Sequence, residues 1–175
     1  RCAKNFVEPH FRMFWSENIP FLEIIDEAGC RTLITLLTGR IGGQSAPDPA
    51  PDSWAADPDN DVVIAIIDMD AGARWTLPAA AAHTRRTIYA FEGGPPTLAG
   101  QEIPSYHSAE LDPAQDVEIA CNGEALRLLL LQGKPIGEPV VQYGPFVMNT
   151  RAEIQQAFED YQVDSFGGWP WERSD

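Results

Sequence analysis

Short apolar segments, separated by turn residues, dominate the chain between residues 21 and 133. They have the length of strands and are rich in β-branched and aromatic residues, which favour extended backbone. No helical pattern recurs between them, so the chain is predicted to be an all-β sandwich or barrel. The strongly apolar, β-branched segment at 62–70 is expected to be buried on both faces. The predicted strands lie at residues 21–26, 30–39, 62–70, 73–78 and 85–94, with three more within 109–133.

Residues 42–61 lack strand patterning and are rich in proline and aspartate, after two adjacent glycines. This composition predicts a long loop. Loops of this length are either mobile or functional. We expect Trp54, near the middle of the loop, to pin it to the body of the domain.

A helix is predicted after Thr150, because Thr150 and Glu153 have the spacing of a capping box. The helix is expected to pack on the outside of the barrel or to cover its end. Its polar face carries Gln155, Gln156, Glu159 and Asp160. Its apolar face, spaced at i, i+3, i+4 and i+7, consists of Ile154, Ala157, Phe158 and Tyr161.

The segment before this helix, residues 133–150, mixes glycines and prolines with apolar side chains. Proline cannot serve a central strand, because it lacks the N–H that the ladder needs. The segment is therefore predicted to be an ordered strap along a sheet edge, with an architectural role. The residues expected to press it onto the core are Val140, Val141, Phe146, Val147 and Met148.

The charge of the chain argues against a nucleic-acid partner. The 26 acidic residues outnumber the 12 basic ones, giving a formal net charge of -14. The basic residues are scattered, and Arg85-Arg86 is their one adjacent pair. Direct binding of a phosphate backbone needs clustered lysines and arginines, so it is not expected.

The three cysteines have no CxxC spacing, and their number is odd. A disulfide framework is therefore not expected, which suits a reducing, cytoplasmic location. Cys30 and Cys121 are predicted to be small buried hydrophobic residues. No apolar run approaches the roughly 20 residues of a membrane span. The chain begins at Arg1 without a signal-peptide pattern, so we expect a fragment of a longer protein.

Several segments resemble the pirin family, collinearly over nearly the whole chain. Residues 133–162, GKPIGEPVVQYGPFVMNTRAEIQQAFEDYQ, resemble its C-terminal signature, and FGGWPW at 166–171 resembles the tail of bacterial members. FVEPHF, at 6–11, resembles the family's interdomain connector, and residues 51–80 also resemble bacterial members. Pirins are bicupins, with two successive β-barrels. The resemblance implies a cupin-type β-barrel, or jelly roll, with one C-terminal α-helix.

This resemblance also implies a domain organisation. Residues 1–20 would be the interdomain connector and residues 21–148 the C-terminal cupin barrel. Residues 149–175 would be a C-terminal helix and a tryptophan-rich tail. The N-terminal metal-binding barrel of the family is not part of this sequence, and it is the expected packing partner of the chain.

The family resemblance implies two activities for the intact protein. One is an iron-dependent dioxygenase of the quercetin type, with the iron held in the first barrel by three histidines and a glutamate. The alternative is a regulatory protein, a transcriptional or metabolic co-regulator that acts through a protein partner without turnover. None of the iron ligands matches a residue of this chain, which is therefore not expected to be catalytic by itself.

A metal site within this barrel is not expected either. The cupin motif needs closely spaced histidines after a glycine, and after Gly72 their place is taken by Pro78, Ala79 and Ala80. Only His83 lies nearby, with Glu92 further on. A single imidazole supplies one nitrogen ligand, whereas a histidine pair coordinates a transition metal through two. His10 and His107 are distant in sequence.

Other catalytic arrangements are also missing from the sequence. It has no GxSxG motif, and no cysteine has an obvious histidine partner. Glu138, in the strap, is predicted to form a salt bridge or a backbone hydrogen bond. We assign no catalytic, cofactor-binding or metal-binding residue in this chain.

Two tryptophans in the tail leave one alternative open. Trp169 and Trp171 flank Pro170, and they are expected to anchor the tail by packing. Exposed, they could instead stack on an aromatic or sugar ligand. A small-ligand-binding β domain is therefore a third interpretation of the chain.

Overall fold

A computed structural model describes residues 10–165 of the chain. Part of the expected connector (residues 1–9) and the tail with Trp169 and Trp171 lie outside the described residues. The described chain divides into two compact units, residues 10–135 and residues 136–165. The strands, in chain order, are β1 (Phe21–Ile25), β2 (Arg31–Thr38), β3 (Arg40–Ile41), β4 (Gln44–Ser45), β5 (Val63–Met69), β6 (Arg74–Leu77), β7 (Arg85–Gly93), β8 (Pro96–Leu98), β9 (Gln101–Glu102), β10 (Ser108–Leu111), β11 (Val117–Cys121), β12 (Leu126–Gly133), β13 (Val141–Tyr143) and β14 (Phe146–Met148), followed by helix α1 (Arg151–Asp164).

Two antiparallel sheets form the first unit. A six-stranded sheet has the order β1-β2-β5-β12-β7-β10, and a four-stranded sheet has the order β6-β11-β8-β9. Strands β3 and β4 pair as a short hairpin. Apolar side chains of both large sheets form one buried core, to which Ile67, Leu128, Trp75 and Ile119 belong. The all-β prediction is therefore confirmed, and its single predicted helix is α1.

Strand alternation explains how the core is filled. In β5 the side chains of Val63, Ala65, Ile67 and Met69 are buried, while the residues between them are only half-buried. Successive side chains of a strand point to opposite faces, so one face of β5 lines the core. The prediction that both faces are fully buried was wrong for the second face.

The hairpin of β8 and β9 was missed by the sequence analysis. Ala99 and Gly100 connect the two strands with φ angles of 48° and 82°. Two successive residues with positive φ are typical of a type I′ hairpin turn, which usually has Asn-Gly or Asp-Gly. Because Ala99 stands where asparagine or aspartate is usual, the sequence did not indicate this turn.

The long loop at 42–61 is held in place at several points. It contains β4 and two short 3₁₀ turns, Trp54–Ala56 and Pro58–Asn60. The Trp54 indole N–H donates to the Lys134 carbonyl at 2.9 Å, so the predicted pinning by Trp54 is confirmed. Buried Asn60 donates from Nδ2 to the Trp54 carbonyl at 2.8 Å and accepts the Lys134 N–H at 2.8 Å through its own carbonyl.

The second unit is a β-hairpin packed on a helix. The predicted strap differs from the structure, because β13 and β14 pair with each other as a separate two-stranded sheet. Phe158 of α1 makes edge-to-face contacts with Phe146, at a centroid distance of 4.8 Å, and with Tyr143, at 5.7 Å. Val140 and Val147, expected to press on the core, are exposed.

Helix α1 begins as the sequence predicts. The Thr150 hydroxyl accepts the Glu153 N–H at 3.2 Å, and the Glu153 carboxylate accepts the Thr150 N–H at 2.7 Å. This reciprocal pair is the predicted capping box. Ile154 and Ala157 are buried on the predicted apolar face, while Tyr161 is half-exposed at its edge.

Candidate functional site

The segment after β6 is the one in which a cupin histidine pair was looked for in the sequence. The Ala79 N–H donates to Asp116 Oδ1 at 2.6 Å, and the Ala81 N–H donates to Asp61 Oδ2 at 3.2 Å. The Ala80 N–H donates to the Pro113 carbonyl at 2.7 Å. These three hydrogen bonds hold the segment against the loops around it. Proline and alanine side chains carry no donor atom, so this segment does not fit a metal ion.

A cavity of about 290 Å³ lies beside this segment. Its apolar wall includes Ile41 and Leu77, together with Pro78 and the three alanines that follow. Its polar residues are Arg40, Asp61, Arg86 and Gln132. A pocket thus lies beside the segment in which a histidine pair was looked for, and its side chains are not metal ligands of that kind.

Arg86 is the unusual residue of this pocket. Along β7, Arg86, Ile88 and Ala90 have buried side chains, whereas Arg85 is exposed on the opposite face. The Arg86 side chain is 1% exposed, although arginine is among the residues least often buried. Strand alternation therefore places a guanidinium group among apolar core residues.

The Arg86 guanidinium is only partly satisfied by hydrogen bonds. Nη2 donates to the Pro78 carbonyl at 2.8 Å. Among residues 10–165, Nε and Nη1 of Arg86 are buried and have no hydrogen-bond partner. Most buried polar groups in proteins do have a partner, so these nitrogens call for a physical explanation.

Nearby carboxylates compensate part of this buried charge. Burial lowers the pKa of the Arg86 guanidinium, and the negative charges of Asp61 and Asp116 oppose this effect. An arginine side chain nevertheless stays protonated in proteins. In the described part of the chain, neither carboxylate forms a direct ion pair with Arg86. Both carboxylates accept backbone N–H groups of the 79–81 segment instead.

The histidines considered from the sequence do not come together. His83 Nε2 lies 3.1 Å from the Asp59 carbonyl oxygen, and His107 Nδ1 lies 3.1 Å from the Ser105 carbonyl oxygen. Glu92 accepts a hydrogen bond from Arg127 at 3.0 Å, so it is engaged away from His83. Over the described residues, no group of three or more histidine, cysteine or acidic side chains is arranged to hold a metal ion.

The remaining candidate residues have structural environments. Cys121 is buried, as predicted, and its thiol donates to the Glu124 carbonyl at 2.9 Å. Cys30 is half-buried rather than fully buried. Glu138 accepts a hydrogen bond from the Asn149 amide at 3.2 Å. A side-chain amide is thus one partner of Glu138, and its predicted salt bridge or backbone hydrogen bond stays a prediction.

The two sheets around one core define a cupin-type β-barrel, and solved structures share this fold. A quercetin 2,3-dioxygenase from Acinetobacter baumannii superposes with a TM-score of 0.67, at 23% identity, over 87% of this chain and 49% of that one. At this identity the likeness shows the fold alone. Among residues 10–165, no helix has both the length and the apolar character needed to cross a membrane.

The chain belongs to the pirin family, because the family described as the pirin C-terminal cupin domain matches residues 64–167. A proposed quercetin 2,3-dioxygenase of Pseudomonas aeruginosa is 36% identical over 91% of the chain and 54% of that protein. The human protein named pirin is 37% identical over 54% of the chain and 33% of that protein. The chain spans about half the length of the curated relatives that match most of it.

Arg86 was not predicted as a site residue. Arg85-Arg86 was considered only as the one adjacent basic pair, with regard to nucleic-acid binding. The signal was present, because Arg86 has the same parity as Ile88 and Ala90 in a strand whose core face is apolar. A charged residue on the core face of a predicted strand is a candidate site residue.

Proposed function

We propose that this chain is the second, metal-free barrel of a longer iron-dependent dioxygenase that acts on quercetin-type flavonols. The observation that carries the proposal is the match to a pirin C-terminal cupin domain. It is supported by relatives of about twice the length for which quercetin 2,3-dioxygenase activity is itself a proposal. A cytoplasmic location belongs to the same proposal.

The donor set of this barrel supports placing the iron elsewhere. Transition metals in cupins need imidazole and carboxylate ligands that converge on one point. The segment where the histidine pair would fall offers only Pro78, Ala79 and Ala80, and His83 is engaged with the Asp59 carbonyl. In the proposed intact protein, iron in the other barrel would supply the activation of dioxygen.

An exposed set of large apolar residues supports a packing role for this barrel. We call this set, whose members are listed below, the apolar strip. In it, the Phe11 side chain is 83% exposed and the Trp15 side chain is 67% exposed. Patches of exposed apolar side chains mark interaction surfaces, and these residues all lie between positions 11 and 25 of the chain. We propose that the other barrel covers them, so the isolated chain should bind a hydrophobic dye more strongly than the intact protein. The apolar strip consists of Phe11, Met13, Trp15, Phe21 and Ile25.

The regulatory alternative is favoured by the same apolar strip, if a separate protein partner covers it. The experiment that separates the two functions uses the intact, iron-loaded protein. Quercetin is incubated with it under oxygen, and the flavonol absorbance is followed. The dioxygenase proposal expects iron-dependent loss of absorbance that stops when a chelator removes the metal.

A variant in this barrel serves as a control. Arg85→Met replaces an exposed arginine that is not a metal ligand, and it should leave turnover unchanged. Absence of turnover across several flavonols, with iron bound stoichiometrically, would contradict the dioxygenase proposal and favour the regulatory function.

A further inference from the structure

We propose that the second barrel has its own binding site, in which Arg86 holds the carboxylate of a small monocarboxylate ligand. The site is the cavity beside residues 78–81, where the cupin histidine pair would fall. The inference goes beyond the proposed function, because it assigns a ligand to residues of this barrel alone. It stands whether or not the intact protein oxidises flavonols.

Among the described residues, the buried guanidinium of Arg86 lacks hydrogen-bond acceptors for two of its nitrogens. A buried cation without a direct counterion is costly. The hydrogen bond to the Pro78 carbonyl uses one of five N–H donors. Because Nε and Nη1 are closed off from solvent, a carboxylate in the cavity would pair with them after a small movement of the Arg86 side chain. It would then supply both the missing charge and the missing acceptors, in the planar geometry that arginine recognises.

Charge in the cavity selects the class of anion. Arg40 and Arg86 contribute two positive charges, and Asp61 contributes one negative charge. The net charge of the lining is therefore +1, and the Asp116 carboxylate, whose negative charge also acts on Arg86, offsets it further. A singly charged anion adds less uncompensated charge to this site than doubly charged phosphate does.

The volume and lining of the cavity limit the rest of the ligand. A cavity of about 150 Å³ is enough for benzene, and this one measures about 290 Å³. Ile41, Leu77 and the segment from Pro78 to Ala81 form an apolar side of the cavity, and polar groups contribute the larger part of its accessible lining. The ligand therefore combines one carboxylate with a small body that contacts this apolar side, the size of butyrate or benzoate.

The experiment titrates sodium butyrate and sodium benzoate separately into the 175-residue chain at constant ionic strength, with calorimetry as the readout. We expect saturable binding of at least one of them, and an increase in Tm at saturation. Arg86→Met keeps the length and apolar stem of the side chain but removes the guanidinium, and it should weaken binding by at least about tenfold. Arg85→Met, the neighbouring exposed arginine, should change Kd by less than about twofold.

Thermal unfolding of each variant shows whether it is folded. Where Arg86→Met does not fold, Arg86→Lys retains the charge without the planar fork and should weaken binding severalfold. The proposal is overturned if the folded wild-type chain binds neither carboxylate, or if an Arg86 variant binds as well as wild type. Inorganic phosphate binding as tightly as the carboxylates would overturn the monocarboxylate class. If Arg86→Met changes the Tm while the wild-type chain binds no carboxylate, the role of Arg86 is structural and the proposal is wrong.

Discussion

The Asp26 carboxylate accepts the backbone N–H of Arg74 at 2.9 Å, across 48 positions of the chain. Its other oxygen accepts the N–H groups of Ala28 and Cys30, each at 2.9 Å. One side chain thus closes the β1–β2 turn and joins it to β6 of the other sheet. Hydrogen bonds to the charged form lower the pKa of Asp26, with that from Cys30 as the largest cause and that from Arg74 next.

Asp26→Asn should therefore destabilise the protein in a pH-dependent way. Because the folded-state pKa lies below the ordinary value of 3.8, the carboxylate stabilises the fold above that pH. The contribution is lost as the pH falls through the lowered pKa. We expect a lower Tm for the variant at pH 7 and a smaller difference from wild type at pH 3.

Asp70→Asn is a useful control for this experiment, because its carboxylate lies in an exposed ion pair with Arg31 at 3.7 Å. Exposed pairs of this kind contribute little. An Asp26→Asn effect of the same size at pH 3 and pH 7 would contradict the linkage.

Gly93→Ala should be far more damaging than Gly100→Ala, although both glycines have φ near the same positive value, 84° and 82°. A Cβ at Gly93 would overlap the Ala125 carbonyl oxygen, whereas nothing lies within 4 Å of a Cβ at Gly100. The left-handed backbone alone costs an alanine about 1–2 kcal/mol. We expect the Gly93 variant to lose about 1–3 kcal/mol more, as measured by urea unfolding; equal losses would argue against the close approach.

Leu130 and Leu131 are neighbours in β12 that face opposite sides of the sheet. Leu130 is 0% exposed and Leu131 is 37% exposed. Leu130→Ala should cost about 2–5 kcal/mol, because it removes buried methyl groups and leaves a cavity. Leu131→Ala should cost clearly less. Chemical unfolding of both variants measures the difference in the free energy of unfolding. A larger loss for Leu131→Ala than for Leu130→Ala would mean that the other face of β12 lines the core.

Thr150→Ala should weaken the start of α1, because it removes the hydroxyl that accepts the Glu153 N–H. Loss of such a cap costs about 1 kcal/mol. Faster hydrogen exchange at the amides of the first helical turn is the expected readout. Thr150→Ser keeps the hydroxyl and should restore protection; unchanged exchange in the alanine variant would contradict the capping role.

Local patterns were enough to predict most of the main strands and the capped helix. The alternation in β5 and β7 and the Thr150–Glu153 spacing act over a few residues, so they can be read from the sequence. Pairing partners could not be predicted in this way. Strand β12 pairs with both β5 and β7, and nothing local to residues 126–133 specifies either neighbour.

The candidate site was harder to predict than the fold. Its cavity combines residues from β3, β6, β7, β12 and the long loop, which approach one another only through the sheet order. The sequence showed that paired histidines are missing after Gly72. It gave no local indication that Arg86 lies beside the same segment, since the Pro78 carbonyl becomes its partner only in the folded chain.

The position of β12 also bears on how the chain acquires its structure during synthesis. Strands β5 and β7 leave the ribosome before β12, which fills the gap between them in the sheet. Until residue 133 has emerged, both present bare hydrogen-bonding edges with apolar side chains, a combination that invites aggregation. A delay between the synthesis of β7 and that of β12 should therefore favour aggregation of the incomplete sheet.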